Sequence, residues 1–186
     1  MKTTTIRIVL ILVIVSLICR GTIFRHLVTY KSIGTRINYK IHNKEFIDYI
    51  ESDNKNNTNI KDVIKNSLSI TSKRLNFTAS KNNNDPNKLI NSKTAHCVGY
   101  AAFFSSTCNY LLKKNNINKD WVATHHIGQI YLLNNNVHKF FKSSFFKDHD
   151  FVLITNKNTG ESIAVDPTVD DYLAISFIKY NNEQKL

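Results

Sequence analysis

Proline and glycine are scarce in this chain, two and five among 186 residues. That scarcity excludes a collagen-like repeat and the Gly/Pro-rich compositions of low-complexity chains. Cysteine is rarer than glycine. Cys19 lies in an N-terminal apolar run, which leaves Cys97 and Cys108 in the body. If both sit on one helix, their spacing puts them about 16 Å apart along its axis. A disulfide needs Cα atoms within about 7 Å, so the body has no internal disulfide framework and a free thiol is available for chemistry. Close-spaced Cys or His pairs of the metal-ligating kind are missing, and neither a metal nor another cofactor is expected.

Runs of like charge are missing too, although charge is not: 25 Lys and Arg against 14 Asp and Glu give +11. Lys travels with Asn and Ile along the chain, as in residues 54–66, and no interleaving of aromatic and basic residues offers a base-stacking platform. The excess reads as a solvated basic surface, and nucleic acid is not the expected partner. What the chain does have is bulk. A hydrophobic fraction of 42%, with eleven Phe and eight Tyr, suffices for one core, and the length suits a single domain with a short N-terminal extension.

The extension is residues 1–24. Lys2 and Arg7 precede an apolar stretch over residues 8–19, broken only by Ser16. As a helix it spans about 18 Å, short of the roughly 30 Å hydrocarbon core. Length and basic start match the apolar part of a signal peptide, but the residues up to Gly21 offer no small-x-small cleavage site. The alternative is a retained anchor reaching Phe24, with Arg7 and Arg20 snorkelling. Either way, export or membrane attachment at the cell envelope is expected.

Residues 25–57 read as a linker or short extended segment followed by a short helix around Phe46, Ile47 and Ile50. The third unit, residues 58–186, opens with a helix capped by Thr58 or Asn59 and carrying Ile60, Val63, Ile64 and Leu68 at helical spacing. Polar residues 81–87 read as a loop in which Pro86 closes off any helix. The next helix is expected from Ala95–His96 to about Lys114, burying Val98, Ala101, Ala102, Cys108 and Leu112. Strands are expected at 121–133, 150–154 and 162–165, the last two joined by a turn over 156–161. Helices followed by antiparallel strands make an α+β domain with one key helix packed on a sheet.

Cys97 opens that key helix. Free N–H groups and the macrodipole at a helix N-terminus favour a thiolate and can polarise an attacked carbonyl. A turn centred on Lys157–Asn158 places Thr155 opposite Gly160, Leu153 opposite Ser162, Phe151 opposite Ala164, and His149 opposite Asp166. Cross-strand partners lie about 5 Å apart at Cβ, so the carboxylate reaches one ring nitrogen and leaves the other for sulfur. His125 and His126 are adjacent and face opposite ways on a strand. His96, Asp148 and Asp150 read as neighbours rather than members of the site, and Gln129 and Trp121 are the only side-chain candidates for an oxyanion donor.

The run AHCVGYAAFF (95–104), then HDFVLI (149–154), then AVDPT (164–168) resembles the three signature blocks of the transglutaminase-like superfamily. There a Cys opens a helix, a His begins one strand, and an Asp followed by Pro ends the next. The resemblance covers about residues 60–175. It implies a papain-like fold with Cys97 as nucleophile, His149 as base and Asp166 as orienter. The family often has Ala-Trp after the His, whereas Asp150 and Phe151 stand here. It also contains members without catalysis. The expected function is thus an enzyme acting on amide bonds of a protein or peptide through a thioester, released by water or by an amine. The alternatives are an idle scaffold domain at the cell envelope and a basic-surface binder of anionic polymers.

Overall fold

The computed structural model describes residues 2–53 and 59–181. Two helices, α1 (Lys2–Ile18) and α2 (Arg20–Leu27), lead into strand β1 (Val28–Thr35). Helices α3 (Lys44–Ser52) and α4 (Ile60–Arg74) follow, then a two-residue strand β2 (Asn76–Phe77), helix α5 (Pro86–Ser92) and its short partner strand β3 (Thr94–Ala95). Helix α6 (Cys97–Lys114) precedes β4 (Trp121–Leu132) and β5 (Asn135–Asn136). After two single 3₁₀ turns come β6 (His149–Asn156), β7 (Ser162–Val165) and α7 (Pro167–Leu173). The class is α+β. Helices and an antiparallel sheet of order β1-β4-β6-β7, with β5 beside β4, share one chain.

Local chemistry explains the helix starts. Asn43 accepts from Glu45 and Phe46 N–H at the head of α3, and Asn59 accepts from Asp62 N–H at the head of α4. Of the two residues expected to cap α4, Asn59 does so, while Thr58 lies outside the described residues. Pro86 corrects the sequence reading. It opens α5 instead of ending a helix, because a first-turn residue needs no N–H partner, and Asp85 caps it by accepting from Asn87 N–H.

The sheet has two faces and each has a core. Ala123, Val152, Ile154 and Val165 point to one side and join α3, α4, α5 and α6 in the larger cluster. Helix α6 runs through its centre, so burial is not confined to a stripe. From Cys97 to Cys108 only Val98 is not buried. On the other side Tyr30, Phe151, Leu153, Ala164 and Ile178 form a small second core, with Phe24 of α2 packed against it.

The stretch expected as a linker therefore belongs to the fold. Val28–Thr35 is an edge strand paired antiparallel to β4, and Phe46 and Ile50 of α3 are fully buried in the larger core. Its alternation is broken by a bulge between Ser32 and Gly34, which erases the period-two signal that marks a strand. The sheet also curls. The C-terminal segment bonds to both of its edges: Ile178 N–H donates to Ala164 of β7, while Tyr30 N–H of β1 donates to Lys179. Curling brings β1 close to the end of β7, and the site depends on it.

Among the described residues no single helix is long and apolar enough to cross a membrane. The pair Ile6–Ile18 and Arg20–Leu27, bent by 71°, reaches that length only together.

Candidate active site

The β6–β7 register differs from the expected one by two residues. Val152 faces Val165, Leu153 faces Ala164, Ile154 faces Ile163 and Thr155 faces Ser162. The turn is centred one residue later, where Asn156 Oδ1 accepts from Asn158 and Thr159 N–H, and Gly160 takes φ +75°. A slip of two preserves the face, because side chains alternate with a period of two. His149 and Asp166 thus end on the same side of the sheet as diagonal neighbours, and His149 Nε2 lies 2.7 Å from Asp166 Oδ2.

Asp166 is fully buried and every one of its bonds has a source. Oδ2 also accepts from Tyr30 Oη at 2.7 Å. Oδ1 accepts from Thr168 and Val169 N–H at 3.0 and 3.1 Å, so the same carboxylate caps α7. Burial alone would raise its pKa. The charge of His149 and the bonds from His149, Tyr30 and Val169 outweigh it and hold the carboxyl below its ordinary value.

With Nε2 committed to Asp166, Nδ1 of His149 is left for the sulfur, and a hydrogen bond joins the two side chains. Burial would lower the imidazole, but the charge and hydrogen bond of Asp166, and then Cys97, raise it well above the usual histidine value. Burial likewise pushes the Cys97 thiol up. Hydrogen bonds from His149 and His96, the charge of His149 and the backbone N–H of Asp150 reverse that and bring it to about 6. Both shifts favour the thiolate–imidazolium form of the pair. The sulfur's residue is only 9% exposed, and the His149 side chain 20%.

The elements that hold this geometry are identifiable. Cys97 is the first residue of α6, and His96 supplies no side-chain cap, so the first-turn N–H groups are not consumed by it. One turn on, Tyr100 Oη donates to Leu75 O at 2.9 Å and bonds Asp171 Oδ2 at 2.8 Å, tying α6 to α7 and so Cys97 to Asp166. Gly99 permits the close approach of β3 and α5. A Cβ there would sit 2.7 Å from that of Ala95 and 3.1 Å from Leu89 Cδ1.

Neighbouring residues sort clearly. Asp150 points to the opposite face, as expected, where it is fully buried between Arg36 and His125 (Nε2 at 2.6 Å). It still serves the site through its backbone N–H on the sulfur. His126 faces away from His125 and pairs with Ser32 at 2.8 Å. His96, read from sequence as a neighbour, helps to lower the Cys97 thiol, while its own Nδ1 is buried without a hydrogen-bond partner. Neither oxyanion candidate is placed for that role. Gln129 Oε1 accepts from Asn136 Nδ2 at 2.8 Å, and Trp121 pairs with Asn156 at the far end of β4, against the larger core. Tyr30 is the residue that sequence reasoning missed. Its signal, an aromatic in a β-branched run, was weak beside the broken alternation. No group of three His, Cys, Asp or Glu among the described residues is arranged to hold a metal ion.

Two clefts lie near the start of α6. One, of about 270 Å³, is lined by Cys97, His149 and mainly aromatic and aliphatic side chains, with His138, Asp148 and Thr168 among them. The other, of about 340 Å³, passes Val98, Arg36, Asn84 and His125, and there His125 Nδ1 and Asn84 Oδ1 are buried without a partner.

No family model, curated protein or solved structure matches the chain.

Proposed function

We propose that the chain is a cysteine-dependent enzyme acting on amide bonds of proteins or peptides, on a papain-like fold of transglutaminase-like type. The reading is carried by one observation. A cysteine at a helix N-terminus is hydrogen-bonded to an imidazole whose other nitrogen is held by a buried, four-fold bonded carboxylate.

The Cys97 thiolate attacks the amide carbon, and a C–S bond forms as the carbonyl π pair moves onto oxygen. The first-turn N–H groups of α6 and the macrodipole stabilise that oxyanion. As it collapses, the C–N bond breaks and His149 Nδ1 gives its proton to the departing amine. Water, or a second amine, then gives a proton to His149 and attacks the thioester, and the sulfur leaves as thiolate. Asp166 stays ionised throughout and holds the tautomer that points Nδ1 at sulfur.

The apolar run of α1 is proposed to serve export or membrane attachment at the cell envelope. Its side chains from Ile6 to Ile18 find no cover in the fold, each large one being 49–76% exposed.

The experiment is brief alkylation of the folded protein followed by peptide mapping, then a screen of peptide and glutamine substrates with wild type and Cys97→Ser. Selective modification of Cys97 and turnover lost in the variant are expected. Turnover that survives in Cys97→Ser sinks the enzyme reading. A selectively reactive Cys97 with no turnover on any amide favours the idle scaffold.

A further inference from the structure

Between β5 and β6 the chain carries four phenylalanines in seven residues, Phe140, Phe141, Phe145 and Phe146, of which Phe140 is 78% exposed and Phe141 and Phe146 are a little under half exposed. Exposed aromatics grouped this way call for an occupant. Phe141 and Phe146 stack at 4.9 Å, Phe145 meets Phe146 edge-on at 5.0 Å, and Phe145 meets His96 edge-on at 6.1 Å. The rings thus form a continuous apolar path from the residue beside the sulfur to the surface. Phe77, Ile130 and Val137 line the same cleft, together with Cys97 and His149.

The wall is fixed in place. His138, 7% exposed, accepts Ile130 N–H at Nε2 (2.9 Å), so its Nδ1 carries the hydrogen and donates to Phe146 O at 2.7 Å. One neutral imidazole thereby staples the aromatic loop to β4. A loop held only by its own contacts would not need a buried histidine satisfied at both nitrogens.

We infer that this cleft is a specificity pocket that takes an apolar side chain, aromatic or long aliphatic, of the polypeptide whose carbonyl reaches Cys97. The inference rests on the proposed thiol chemistry for its reacting centre. Three features choose the occupant. Cys97 and His149 are themselves part of the cleft's lining. Its volume of about 270 Å³ lies just below the range of roughly 300–1,000 Å³ usual for whole small-molecule ligands, which suits one side chain. The polar cleft that reaches Val98, next to Cys97 in sequence, with its unpartnered His125 and Asn84 atoms, is left for the amide-bearing part of the chain.

The test compares N-benzyl-iodoacetamide with iodoacetamide on the folded protein, each rate at Cys97 divided by the same reagent's rate on free glutathione. The normalised ratio should favour the benzyl reagent by about tenfold and saturate with concentration. Phe141→Ser and Phe146→Ser, at positions 44% and 45% exposed and outside both buried cores, should bring the ratio close to one. A ratio near one in wild type, or one indifferent to both substitutions, overturns the pocket. Occupancy is also read without thiol chemistry. Cys97→Ser protein should bind N-acetylphenylalanine amide about tenfold more tightly than N-acetylglycine amide, and equal affinities overturn the inference even where Cys97 is fully reactive. A wild type in which Cys97 is no more reactive than Cys108 removes the proposed chemistry, and the binding arm still decides the pocket. If the two Phe substitutions instead abolish sedimentation with phosphatidylcholine vesicles and leave both preferences intact, the aromatic loop is a lipid contact and the pocket is overturned.

Discussion

Two adjacent residues of β6 each bring an acid–histidine pair into being, on opposite faces of the sheet. His149 pairs with Asp166 on the curled side, and Asp150 pairs with His125 on the helix side, at 2.7 and 2.6 Å. Both acids are fully buried and both are held below the ordinary carboxylate value. What separates the pairs is the third partner. Arg36 neutralises Asp150 through Nε and through Nη2 at 3.1 Å, so the second pair is a closed ionic cluster. Asp166 has only neutral donors besides its histidine, and that histidine faces a sulfur at a helix end. In the proposed reading the same dyad is structural where a guanidinium completes it and reactive where a thiol does.

Predictions follow from trying to break that distinction. Cys97→Ser should abolish turnover while leaving thermal unfolding nearly unchanged, since the side chains are close in size; a shift beyond a few degrees speaks against a purely chemical role. Asp166→Asn should lower kcat/KM by about 10²–10⁴, with Cys97 reactivity displaced to higher pH. The displacement has this sign because the lost charge is what raises His149, and a weaker imidazolium stabilises the thiolate less. Tyr30→Phe keeps the ring in the second core but removes one donor to the carboxylate, for a stability loss of about 1.5–3 kcal/mol and roughly a tenfold loss of turnover. That variant is read by urea unfolding beside steady-state kinetics.

Asp150→Asn should do the reverse. Turnover should change least of all, because the contribution to the sulfur is a backbone N–H, whereas stability should fall by about 1–3 kcal/mol as Arg36, its side chain 35% exposed, loses its buried partner. That carboxylate's stabilisation is fully present above the unfolded carboxylate value and is lost as pH falls through the lower folded one. The stability gap between wild type and variant should therefore close in acid. A larger effect of Asp150→Asn than of Asp166→Asn on Cys97 reactivity would mean that the two pairs have been assigned the wrong way round.

Much of the arrangement was legible in the sequence because it is local. Alternation and the turn residues Asn156–Gly160 announced the hairpin, and small residues after Cys97 announced a helix with close neighbours. The register was legible only in its parity. An Asx-type turn shifted the pairing by two, which sequence cannot distinguish from the tighter turn, yet the face of His149 was unaffected. Tyr30 was not legible. It reaches Asp166 across 136 residues, through a curl of the sheet closed by Ile178 and Lys179, and no local pattern encodes that closure. The surroundings of His96 were not legible either: its ring meets Phe145 edge-on at 6.1 Å, from a loop held to β4 by His138.

The most direct test is the pH profile of iodoacetamide alkylation, followed separately at the two buried cysteines of α6. Cys108 is fully buried, its thiol pushed up to about 12 by burial, and it should not react in the folded state. Cys97 should react fast, with a rate that is full above neutrality and half-maximal at about pH 6. In His149→Asn the midpoint should move up towards the ordinary thiol value of about 8.5. A Cys97 midpoint near 8.5 in the wild type, or equal rates at the two cysteines, would contradict the thiolate–imidazolium pair on which the account stands.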